Sequence, residues 1–124
     1  MKRDQVRERL KQLGASEAVI RAGLEGLVKK WESIAREIAD GYQLDLDSYL
    51  NDVDVRQLIA EVVTAVPDLP SAMLKRIQKA DELTKGSTVT SKCVWGEEVA
   101  RKESWSAGRN WWYFVVPKEL SDKL

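Results

Sequence analysis

The chain has 124 residues, a length suited to one domain, and its 20 basic and 20 acidic side chains leave no formal net charge. It contains no histidine, which excludes imidazole-based nucleophile triads and imidazole zinc sites, and one cysteine, Cys93, which excludes an internal disulfide. Hydrophobic residues at 44% and charged residues at 32% are a globular mixture, and the even charge balance argues against an extended nucleic-acid surface.

Val6, Leu10 and Leu13 follow helical spacing, with Asp4 near the start and Gly14 suited to the left-handed position that closes a helix. Ser16 then offers an N-cap for a second helix. Its apolar stripe, Ile20, Leu24, Leu27, Trp31, Ile34 and Ile38, is spaced by alternating fours and threes and is widened by Val28 and Ala35. Gly23 and Gly26 lie inside that stripe, as points where the helix bends or another backbone approaches, and Asp40-Gly41 ends it. The stripe has bundle spacing, so it is also the surface through which a homodimer would form.

Residues 41–54, GYQLDLDSYLNDVD, read as an acidic connector, with Asp47 capping a short turn over Ser48–Asn51 and Asp54 capping a helix over 55–66. That helix is mostly apolar (Val55, Leu58, Ile59, Val62, Val63, Val66) and is expected at the centre of the fold. Pro67 and Pro70 stop it. A fourth helix over 71–85 follows, capped by Ser71, buried through Met73, Leu74, Ile77, Ala80 and Leu83, and closed by Gly86.

After Gly86 the pattern changes. Residues 87–95 and 110–116 are rich in β-branched and aromatic residues and read as two strands of a hairpin. Between them, residues 97–103 favour a short helical turn, and a third strand over 98–105 is the alternative. The expected fold class is α+β and mostly helical: a single domain over 1–124, with a helical part (1–86), a β-hairpin with its long connector (87–117) and a tail (118–124).

Two groups of residues could carry function. Asp45, Asp47, Asp52 and Asp54 could gather around a divalent cation or a basic partner. The fit to a calcium loop is poor, because Tyr49 and Leu50 stand where a ligand and a turn glycine are required. The second group is Trp95, Trp105, Trp111 and Trp112, which fall within 18 residues together with Arg101 and Arg109. Strand alternation would send Trp111 and Trp112 to opposite faces, one into the core and one outward. Trp and Arg are the residues that dominate protein interfaces. Cys93, in a strand context, reads as a small buried residue.

The function expected is therefore non-enzymatic binding of a protein partner, of the immunity-protein, antitoxin or accessory-subunit kind, without a cofactor. Two alternatives are a carboxylate- and metal-dependent hydrolase and a weak nucleic-acid binder acting through Arg and Trp. The opening residues, MKRDQVRERLKQ, lack the apolar run of a secretory leader. The longest apolar run, residues 111–117, falls short of the roughly 20 residues a membrane span requires. A cytoplasmic location without membrane contact is expected.

Overall fold

The computed structural model describes residues 2–124 and is a mostly helical α+β fold. Helix α1 spans Lys2–Gln12, α2 Glu17–Ala39, α3 Leu46–Ala65 and α4 Ser71–Gly86. Strand β1 (Thr88–Thr90), helix α5 (Glu97–Glu103), a 3₁₀ turn at Trp111–Tyr113, strand β2 (Val115–Pro117) and a closing 3₁₀ turn at Lys118–Lys123 complete the chain. The strands pair antiparallel, with Thr88 opposite Pro117, Val89 opposite Val116 and Thr90 opposite Val115. Among the described residues, no helix is long and apolar enough to cross a membrane.

The first two helices form as their spacing dictates. Gly14, at φ 76°, lets the Ala15 amide reach back to the Leu10 carbonyl (3.0 Å) and satisfy the end of α1. Ser16 caps α2 by accepting from the Val19 amide at 3.3 Å. At Gly23, φ 66° and ψ −160° interrupt the helix, a conformation open only to glycine, and α2 bends there.

From Leu24 to Ile38 the α2 stripe is buried by α1, α3 and α4 of the same chain, with Trp31 and Val28 fully enclosed. The face expected to serve a homodimer is thus internal core, and three neighbouring helices in one chain are enough to cover it.

The acidic connector proves to be largely helix. Asp45, not Asp47, is the N-cap, accepting from the Ser48 amide at 2.9 Å, and α3 runs unbroken through Asp54 to Ala65. Tyr49 and Val53 are buried one turn apart, and their burial outweighs the weak helix propensity of Asp47, Asn51, Asp52 and Asp54. Asp54 therefore lies inside the helix and caps nothing. Residues 55–66 are central as expected, with Val55, Ile59, Val62 and Val66 all buried.

Helix α4 starts from Pro70, whose carbonyl accepts from Met73 and Leu74, and Ser71 makes no capping bond. Gly86 stays helical, and Ser87 caps the end. The buried face of α4 is Ile77, Ala80 and Thr84, while Leu74 and Leu83 are each 41% exposed. Thr84 can sit in the core because its hydroxyl donates to the Ala80 carbonyl at 2.9 Å.

The hairpin is shorter than its sequence suggests. Only three residues on each side pair, and the residues expected to start the second strand form the 3₁₀ turn. In a strand, Trp112 and Tyr113 would face opposite ways. A 3₁₀ turn advances each residue by a third of a revolution, so both can turn inward, and both are buried. Residues 97–103 form the helical turn rather than a third strand.

Candidate functional site

Helix α3 organises the C-terminal segment through its polar side chains. Tyr49 donates to the Val115 carbonyl at 2.9 Å. The Tyr113 hydroxyl donates to Asp54 at 2.7 Å, and the Trp95 indole donates to the same carboxylate oxygen at 3.2 Å. One turn on, the Gln57 carbonyl oxygen accepts from Asn110 (3.1 Å) and from the Trp112 indole (3.2 Å). Arg56 lies over the Trp112 ring at 4.4 Å and makes a two-pronged ion pair with Asp81 of α4, at 2.9 and 3.0 Å. The buried Trp31 indole donates to the same Asp81 at 2.9 Å.

The aromatic residues close over this frame. Trp105 stacks on Tyr113 with ring centroids 3.9 Å apart and planes 19° apart. Trp111 meets Trp112 edge to face at 5.8 Å and carries the Lys85 ammonium over its ring at 4.7 Å. Trp112 is buried at 3% exposure, whereas Trp111 and Trp105 are half-buried and Trp95 is 37% exposed. The unequal burial of Trp111 and Trp112 thus follows from the 3₁₀ turn and not from strand alternation.

Three open depressions surround this cluster. One, of about 530 Å³, lies between α3 and Trp105, with Gln57, Glu61 and Arg9 in its wall. A second, of about 320 Å³, is floored by Val63, Leu74, Ile77 and Trp111. A third, of about 780 Å³, lies beyond Trp105 and includes Arg101, Cys93 and Phe114. Arg109 borders all three. It is exposed, and one arm of its guanidinium donates to the Ser104 carbonyl at 2.7 Å. Ser104 itself takes the left-handed conformation (φ 59°) that closes α5. Its backbone N–H donates to the Ser106 hydroxyl at 3.3 Å, and the other guanidinium donors meet no acceptor among the described residues and are open to solvent.

The structure therefore gathers Arg101, Trp105, Arg109 and Trp111 around one surface with buried Trp112 beneath it, while Trp95, exposed and bonded to Asp54, borders none of the three depressions. The remaining aspartates are dispersed. Asp45 is a helix cap, Asp47 is exposed in the first turn of α3, and Asp52 accepts from the Tyr42 hydroxyl at 2.6 Å. Among the described residues no three His, Cys, Asp or Glu side chains converge as a metal site would require. Asp45 is held below the usual carboxylate range by the amide and side-chain hydrogen bonds of Ser48. Burial raises Asp54 above that range, against the opposing bonds from Tyr113 and Trp95. Burial likewise raises the Tyr113 hydroxyl, and its bond to Asp54 adds to the effect. Asp54 borders none of the three depressions, so its carboxyl serves the frame.

Sequence reasoning overlooked Tyr113, Gln57, Arg56 and Asp81. A signal existed for two of them: Arg56-Gln57 interrupts the apolar run of 55–66, and buried polar groups must find partners. No protein-family model, curated protein or solved structure matches the chain.

Proposed function

We propose that the chain is a non-enzymatic binding module that takes up a segment of a partner protein along the surface around Arg109. The observation that carries this reading is Arg109 itself: an exposed guanidinium with free donors, bordered on three sides by depressions whose walls include Trp105, Trp111 and Trp112. A half-buried aromatic rim beside an arginine suits an apolar side chain next to a carboxylate. Glu61 and Glu103 stand in the same wall, and this mixture of signs favours a peptide over a nucleic-acid backbone. The lone Cys93, buried and free, is in keeping with a cytoplasmic setting.

The test is quantitative capture from a lysate of the source cell by the immobilised chain. A partner retained by wild type should be lost with Trp111→Ala and with Arg109→Glu. It should persist with Lys30→Glu, an exposed position on α2 that borders none of the three depressions. Equal capture by all four proteins would overturn the reading.

A further inference from the structure

A separate cavity of about 540 Å³ opens where α1, the bend of α2 and the start of α4 meet. Three arginines line it: Arg3 and Arg7, one turn apart on the same face of α1, and Arg21, just before the bend at Gly23. Of the other arginines, Arg9, Arg56 and Arg76 are each paired with a carboxylate, while Arg36, Arg101 and Arg109 have no such pair among the described residues, and none of those three lines this cavity. Arg3, Arg7 and Arg21 have no such partner among the described residues. The one acid in the wall, Glu25, is already bonded to Arg76 at 2.5 Å. A chain with as many acids as bases thus leaves three like charges together around one hollow, where they repel one another.

The other lining is apolar. Val6 and Leu24 are buried core residues, and Leu69 and Met73 are half-buried beside them. A free phosphate or a nucleic-acid backbone would leave that floor unused. An uncharged apolar molecule would leave the guanidinium groups unanswered. Arginine pairs with carboxylate and phosphate through parallel hydrogen bonds, and the volume falls within the range of small-molecule sites. We propose that this cavity binds a small amphipathic anion, its carboxylate or phosphate head held by Arg3, Arg7 and Arg21 and its apolar tail seated on Val6, Leu24, Leu69 and Met73.

The full chain is titrated with decanoate, decyl phosphate, decanol and inorganic phosphate, below micellar concentrations, and amide shifts are followed by NMR. Decanoate or decyl phosphate should give saturable shifts in residues 3–7, 21–25 and 69–73, the tighter of the two identifying the head group. Decanol and inorganic phosphate should each bind at least tenfold more weakly. Arg7→Gln/Arg21→Gln should weaken the alkyl anion at least tenfold without lowering the thermal melt, and Arg101→Gln should leave the affinity as it is. Should the double variant lose its fold, Arg3→Gln and Arg21→Gln singly, both exposed positions, serve in its place. Four results would overturn the proposal. They are the absence of saturable shifts, shifts confined to the tryptophan surface, decanol or inorganic phosphate binding as tightly as the alkyl anions, and unchanged affinity in the arginine variants.

Discussion

Asp81 is the point at which three elements are tied together, and its removal has a calculable effect. Its carboxylate receives the Arg56 guanidinium through two bonds and the Trp31 indole through a third. Arg56 and Asp81 are only 13% and 14% exposed, so this is a largely desolvated pair. Asp81→Ala leaves a buried guanidinium uncompensated, which costs about 3–5 kcal/mol, with the residual exposure favouring the lower end. It also orphans the indole N–H of Trp31, a fully buried residue, for roughly 1–3 kcal/mol more. The two losses share one carboxylate and do not add in full, so about 4 kcal/mol is expected. A domain of this length has roughly 6–19 kcal/mol in total. With a urea dependence of about 2 kcal/mol per molar, the unfolding midpoint should drop by about 2 M. Asp81→Asn keeps an acceptor for Trp31 and should lose about half as much. Circular dichroism in urea measures both variants. An Asp81→Ala loss below about 1.5 kcal/mol, or an Asp81→Asn loss equal to that of Asp81→Ala, would refute the reasoning.

Two further outcomes follow from the same frame. Trp112→Ala removes a buried ring, its bond to Gln57 and the seat of Arg56, and should cost about 3–5 kcal/mol in urea unfolding, against about 1–2 for half-buried Trp111→Ala; equal losses would contradict the assigned burial. Asp54 holds its proton to a higher pH when folded than its ordinary value near 3.8, so its contribution to stability is complete below that value and is lost as pH rises through the folded value. Asp54→Asn removes this loss, so its stability relative to wild type should improve as pH rises above the ordinary value of 3.8, and a difference that stays constant as pH rises would count against the raised value.

Much of the helical half was legible because its apolar residues recur on one face. The α2 stripe could be read residue by residue, and Gly14 and Ser16 marked the boundary between α1 and α2. The start of α3 was not legible. Its aspartates suggested a loop, while Tyr49 and Val53 bury on a different face from Val55, Ile59 and Val62. A helix covered on several sides shows no single stripe. The aromatic segment was misread for a related reason. Trp112 and Tyr113 have polar ends whose partners, Gln57 and Asp54, lie more than 50 residues away, and no local pattern encodes such pairing. The grouping of Trp105, Trp111 and Arg109 was visible from proximity in sequence, but the role of Asp54 was not, because its partners come from the far end of the chain.

The three-residue ladder between β1 and β2 has a consequence for the order of events during folding. So short a ladder cannot persist alone, and the segment from Thr88 onward is held by the apolar residues it buries, Val94, Trp112, Tyr113, Val116 and Leu120 among them, and by side-chain bonds to α3. The side-chain bonds that fix it to α3 join residues more than 50 positions apart, about the same separation as the bonds that tie α2 to α4. Because residues 1–86 leave the ribosome before the segment that covers them, the helical half is expected to gather first, while the face of α3 that bears Tyr49, Asp54 and Gln57 still waits for its cover. In the finished molecule the same segment is expected to open before the helical half does. Amide exchange should then be faster in this segment than in α2 and the apolar half of α3, a difference that hydrogen exchange followed by NMR measures directly.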